Sequence, residues 1–254
     1  DGDELLHALP DIRGQVALAT TPGKVRRVRL LPGDPPATRQ AVDAVMNADL
    51  VVLGPGSWFT SVIPHVLVPG LVAALKATTA RRAVVLNLAA EPGETAGFSA
   101  ERHLHVLAQH APGFTVHDII VDASRVPSQR ERDQLRRTAT MLEASVTFAD
   151  VSRSGTALHD PAKLAAALEA VRSNGAMVGA LGRALRAHGV PAASLTLSGE
   201  RRREATTYYC KESGVGTAIL TRNEFLPQRV GVIGTGSSGV QSIPHIAAQA
   251  RQLF

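Results

Sequence analysis

A single cysteine, Cys210, stands in 254 residues. One thiol closes no internal disulfide and supplies no Cys-based zinc site, which excludes a stapled secreted scaffold and a zinc finger and makes a reducing, cytoplasmic setting the expectation. Aromatic residues are only 4% of the chain, leaving few rings on which bases could stack, and the formal net charge of +5 is modest, so nucleic acid is not an expected partner. Lysine occurs only at Lys24, Lys76, Lys163 and Lys211, with arginine in its place and alanine abundant, which reads as coding bias. Long apolar runs are missing too. The most apolar stretch, Val62 to Leu75, is broken by Pro64, His65 and Pro69 and falls short of the ~20 apolar residues of a membrane span. The chain opens on Asp1, and nothing before Gly14 has the order of a signal peptide, so the expectation is a chain that lacks the start of its protein.

What is present is a globular composition, 44% hydrophobic, enough to bury a core. From Gly14 to about Arg172 short β-branched runs alternate with helical patterns, the rhythm of βα units. The expected fold class is α/β, a Rossmann-like and mainly parallel sheet with helices on both faces, incomplete at its start. Strands are expected at Val16 to Ala19, Val25 to Leu31, Leu50 to Leu53, Ala83 to Leu88, Val116 to Val121 and Val146 to Phe148. Helices are expected at Ala37 to Asn47, after Ser57 through Leu67, Leu71 and Leu75, at Ser99 to His110, and at Asp160 to Arg172. Ser128 to Thr140 is so charged that it reads as an exposed helix or a mobile excursion. Three segments follow: 1–172 as one α/β domain, 173–228 as an unassigned junction, and 229–254 as a single βα unit.

Three loops carry candidate chemistry. Gly54-Pro55-Gly56-Ser57-Trp58-Phe59-Thr60-Ser61 leaves the carboxyl end of a strand; Gly54 and Gly56 allow close backbone approach to an anion, and Ser57, Thr60 and Ser61 offer hydroxyls. The same residues also suit a tight βα turn with a capping serine. The second loop runs from Asn87 to Thr95. Asn87 can donate to a ribose or phosphate oxygen, and Glu91 or Glu94 can accept from ribose or sugar hydroxyls or hold a metal through oxygen, although Glu94 and Thr95 also suit a helix entry. The third, Gly234-Thr235-Gly236-Ser237-Ser238-Gly239, follows the apolar strand Arg229 to Ile233 and opens a helical pattern, the context of a dinucleotide fingerprint. Gly234, Gly236, Ser237, Ser238 and Gly239 are its candidate ligand-facing residues.

The nine histidines form no recognisable metal or catalytic set. His103 and His105 point to different faces of a helix and read as surface residues. The pairs His117 with Asp118 and His159 with Asp160 lack a nucleophile at recognisable spacing, and Asp160 before Pro161 reads as a helix cap. Arg26-Arg27-Val28-Arg29 suits the solvated face of an edge strand, with contact to an acidic ligand as its functional alternative. No catalytic or metal-ligating residue is assigned.

Gly14 to about Leu168 closely resembles the second half of the gluconeogenesis factor or YvcK-like family, and its actinobacterial members especially. The resemblance is carried by Thr20-Thr21-Pro22-Gly23-Lys24-Val25, by Ala48 through Pro64, by Asn87 with Glu91-Pro92-Gly93-Glu94-Thr95, and by His159-Asp160-Pro161. It implies a fold related to 2-phospho-L-lactate transferase, a bound nucleotide or UDP-sugar with the Gly54 to Ser61 loop along its phosphates, and a cytoplasmic regulatory role in carbon metabolism, cell shape and envelope synthesis. The Gly-rich strand and turn with which members open is not in this sequence. An enzyme of the phospholactate transferase type is the alternative.

Arg229 to Phe254 resembles the NADPH-binding βα unit of flavin-dependent Baeyer-Villiger monooxygenases, through Gly231 to Pro244. That likeness implies NADP at the third loop and, as a further alternative, a fragment of an FAD- and NADPH-dependent oxygenase. Two unrelated resemblances in one chain also suit a chimera joined near Arg172 and again near Pro227. A small-molecule nucleotide is the expected partner, without metal, and a homo-oligomer is left open.

Overall fold

The structure, a computed structural model, describes residues 11–14, 17–18, 21, 24–91 and 94–173, and beyond them the backbone of five strands, the last of which ends at Leu253. The strands are β1 Leu50–Leu53, β2 Arg81–Val85, β3 Asp118–Asp122, β4 Ser145–Ala149, β5 Ser198–Arg202, β6 Ala205–Tyr209, β7 Ala218–Thr221, β8 Arg229–Ile233 and β9 Gln252–Leu253. The helices are α1 Arg39–Asn47, α2 Pro69–Ala77, α3 Ala100–His110, α4 Gln129–Ala139 and α5 over 161–173. Six strands make one sheet in the order β4-β3-β2-β1-β8-β9, and every pairing in it is parallel. The α/β Rossmann-like architecture is therefore present. β5, β6 and β7 form a separate antiparallel sheet out of a stretch with no readable period.

Alternation along the strands decides the core. Val51 and Leu53 of β1 join Val84, Ile119 and Val121 on one face, under Trp58, Phe59, Ile63, Leu75, Leu104, Leu107 and Leu135. Leu50 and Val52 join Ala83, Val85 and Ile120 on the other, under Leu164, Leu168 and Val171 of α5. Both faces of a parallel sheet are covered, which is why Leu50–Leu53 is apolar at every position instead of alternating.

Local signals set the helix starts. Thr38, Ser99 and Ser128 each accept a backbone N–H at an N-terminus, and Ser128 with Glu131 forms a capping box. The charged segment 128–140 is an ordinary helix whose inner face is Leu135 and Ala139.

Three expectations are corrected. Val25 to Leu31 is irregular, not an edge strand: Val25 is buried in the core and the Val28 N–H donates to His110 Nε2 at 3.1 Å, so a side chain replaces a ladder partner. The described part of Val16 to Ala19, residues 17–18, is helical. The helical pattern after Ser57 is three pieces, a π-helical turn Trp58–Val62, a 3₁₀ segment Ile63–Leu67 and α2, because Pro64 and Pro69 each remove a backbone donor. Among the described residues no single helix is long and apolar enough to cross a membrane.

Candidate functional site

β1 and β2 run parallel in register, Leu53 opposite Val84, so the segments after them leave the same edge of the sheet. That carboxyl edge is where open α/β sheets place ligands. Gly54 turns the chain there with φ +75°, and a Cβ at this position would lie 2.8 Å from the Val85 carbonyl oxygen. Only glycine fits without displacing backbone.

The two loops are bound to each other. Asn87 Oδ1 accepts from the Gly56 N–H at 3.0 Å, while Asn87 Nδ2 donates to the Gly56 carbonyl at 2.8 Å. Glu94 is buried, and its Oε2 accepts from Ser57 Oγ at 2.6 Å and from the Phe59 N–H at 3.3 Å. Ser57 and Thr60 hydroxyls are bonded to each other, and the Thr60 N–H donates to Ser57 Oγ at 3.3 Å. Thr95 Oγ1 accepts from the Glu91 N–H at 2.7 Å, fixing the turn between them. Sequence reasoning offered Gly56 and Asn87 as anion donors; in the structure their amides meet one another. A carboxylate, Glu94, stands at the start of the Trp58–Val62 turn where a phosphate would be expected.

Ser57, Thr60, Ser61, Asn87 and Glu91 are half-buried and form the polar rim, whereas Gly54, Gly56, Glu94 and Thr95 lie behind it. Burial, and after it the Glu94 charge, holds the Glu91 carboxyl above its ordinary value, with a hydrogen bond from the Trp58 backbone acting the other way. His103 is buried, not a surface residue. Its ring stands edge-on to Trp58 with centroids 5.1 Å apart, and burial lowers its pKa. Its place one helical turn after the Ser99 cap on the apolar face of α3 could have revealed this.

Further along the same edge lie two residues that the sequence analysis left without a role. Asp122 ends β3 and is buried; its carboxylate accepts from the Ser124 N–H at 2.9 Å and the Val151 N–H at 3.0 Å. Burial works to raise the Asp122 pKa, but hydrogen bonds from Ser124 and Val151 prevail and hold it low. His159, also buried, has its pKa brought down to about 4 by burial, against the opposing pull of the Leu86 backbone and Asp122. An acidic residue ending an apolar strand is the signal for Asp122. Asp160 caps α5, accepting from the Ala162 and Lys163 N–H groups at 3.0 and 3.1 Å.

Among the described residues no group of three or more His, Cys, Asp or Glu side chains could hold a metal ion. Gly234, Gly236, Ser237, Ser238 and Gly239 lie outside the described residues, as do 174–197.

Such an arrangement, a parallel sheet with glycine-turned polar loops at its carboxyl edge, is that of a Rossmann-like α/β domain. The profile of one family, 2-phospho-L-lactate transferase CofD, matches residues 2–162, and the chain belongs to that family. A 'gluconeogenesis factor' of Mycobacterium tuberculosis is 85% identical over 160 residues, covering 63% of this chain and 47% of the relative. Its counterpart in Mycobacterium leprae is 82% identical over 161 residues, covering 63% and 45%. The chain thus spans about half the length of the curated relatives it matches. A crystal structure of a UPF0052 family member from Bacillus halodurans superposes with a TM-score of 0.52 at 28% identity, covering 62% of this chain and 53% of that one. The family match ends at residue 162, and the resemblance of 229–254 to monooxygenases is not supported.

Proposed function

We propose that the chain binds a nucleotide or UDP-sugar at the carboxyl edge of β1 and β2 and serves as a cytoplasmic regulatory protein of carbon metabolism, cell shape and envelope synthesis. The supporting observation is the convergence of Ser57, Thr60, Ser61, Asn87 and Glu91 into one half-buried polar rim over a glycine turn, backed by Glu94 and Thr95. The hydroxyl and amide groups suit a ribose or sugar, and the carboxylates accept its hydroxyls.

Thermal unfolding of the chain with and without UDP-glucose tests this. Ligand at a hundred times its dissociation constant adds about 2.7 kcal/mol, expected as a clear rise in Tm that Asn87→Ala abolishes. An unchanged Tm across ligand concentrations would defeat the reading.

The name of the matched family favours a second reading, a phospholactate transferase-like enzyme. Product formed from a lactyl-type acceptor and a nucleotide donor would establish it.

A further inference from the structure

Residues 24–31 run as a strap with no regular structure of their own. Val25 is buried in the core and Val28 packs against it, whereas Lys24, Arg26, Arg27 and Arg29 are exposed, so the strap is apolar beneath and cationic outside. Among the described residues no backbone–backbone hydrogen bond anchors it. Arg29 pairs only with Asp11, on the surface. What ties the strap to the helices is the bond from the Val28 N–H to Nε2 of His110, the last residue of α3, at 3.1 Å.

That bond admits one state of the imidazole. His110 Nδ1 lies 2.7 Å from the Val106 carbonyl oxygen, which can only accept, so Nδ1 carries the hydrogen. Nε2 faces an N–H, which can only donate, and must offer its lone pair. A second proton has nowhere to go but Nε2, where it would point at the Val28 N–H. Around the ring, the strap brings Arg27, whose charge opposes another cation; the Trp58–Val62 turn brings the uncharged ring of Phe59, with centroids 6.1 Å apart; α3 brings the Val106 carbonyl, which favours the proton. Among the described residues no salt bridge reaches His110. Burial is the largest influence and, with Arg27, holds the pKa below the ordinary 6.5.

We infer that His110 is a protonation-sensitive latch: neutral, it holds the strap 24–31 down on α3, and protonated, it turns from acceptor into a second donor and lets the strap go. Release uncovers the apolar strip under Val25 and Val28 and frees a cationic segment that the charged ring then repels. Because burial disfavours the charged ring, the latch is closed at and above pH 6.5 and opens as the pH falls below that value. The latch is independent of what the carboxyl edge of the sheet binds.

The experiment is hydrogen-exchange mass spectrometry of the unaltered full chain and of His110→Gln from about pH 8 to about pH 5, each rate corrected for the intrinsic pH dependence of exchange. In the unaltered chain, protection of 24–31 should fall about tenfold as the pH drops, the equivalent of one hydrogen bond, while 81–85 and 118–122 stay protected. Glutamine keeps an acceptor that does not titrate, so in His110→Gln the acid step should vanish. His65, His103 and His117 are also lowered by burial, but their bonds go to residues outside the strap; a step that persists in His110→Gln belongs to them and overturns the latch. No step in the unaltered chain, or one step shared by 24–31 and the sheet, overturns it as well. If His110→Gln does not fold, nitrogen NMR of the unaltered chain decides. The latch requires the Nδ1–H tautomer at neutral pH and a His110 titration that coincides with the shift of the Val28 amide; the Nε2–H tautomer or an unmoved Val28 amide defeats it.

Discussion

Asn87 and Gly56 exchange two hydrogen bonds across the candidate site, the side-chain amide standing in for a neighbouring strand: Oδ1 accepts at 3.0 Å and Nδ2 donates at 2.8 Å. The loop after β2 holds the loop after β1 through this side chain and through Glu94, which accepts from Ser57 and Phe59. Asn87→Ala leaves a buried N–H and carbonyl without partners, at an expected cost of about 1 to 3 kcal/mol. Asn87→Asp keeps the acceptor and loses the donor, and should cost less. Urea unfolding of the two variants measures the order.

Gly54→Ala should be more damaging than a surface glycine change. At φ +75° a side chain is strained, and the added Cβ would meet the Val85 carbonyl oxygen at 2.8 Å. The expected loss is about 2 to 4 kcal/mol, read from the same unfolding curves. Gly33→Ala, where a Cβ meets open space, is the control.

Arg81 and Asp118 pair between β2 and β3, Nε to Oδ2 at 2.7 Å and Nη2 to Oδ1 at 3.1 Å. Burial raises the Asp118 pKa and Arg81 pulls it back, so removing the arginine strands an acid in the core. Arg81→Met is expected to cost about 3 kcal/mol, and Arg81→Met with Asp118→Leu to recover most of it. A double-mutant cycle by chemical unfolding gives the coupling.

His159 makes stability depend on acid. Its folded-state pKa of about 4 lies below the ordinary 6.5, so the unfolded chain takes up the proton first. The stabilisation is complete above pH 6.5 and is lost as the pH falls from there towards 4, amounting to about 3 kcal/mol over that window. His103, lowered by burial in the same direction, adds to the slope. His159→Gln should flatten the fall of Tm between pH 6.5 and 4.

Where one segment carried its own reason to fold, the sequence was legible. Leu50–Leu53 and, between two aspartates, Ile119–Val121 are apolar runs, and the caps at Ser99, Ser128 and Asp160 are local chemistry. What was not legible depends on contacts distant along the chain. Val25 to Leu31 alternates like a strand yet meets His110 instead of a ladder. The loop from Gly54 to Ser61 has the composition of an anion cradle, but whether its donors are free is settled by Asn87 and Glu94, more than thirty residues later. Asp122 and His159 come together only because β2, β3 and the approach to α5 end at one edge.

The pairing of β1 with β8 also bears on how the chain is made. Leu50 sits opposite Val230, so the flank of β1 that β8 covers waits for a strand made far later in the chain. Such distant parallel pairing closes slowly, and an uncovered apolar strand edge in the meantime invites self-association. Nascent chains arrested before residue 229 should therefore lean on chaperones more heavily than chains in which β8 has been made.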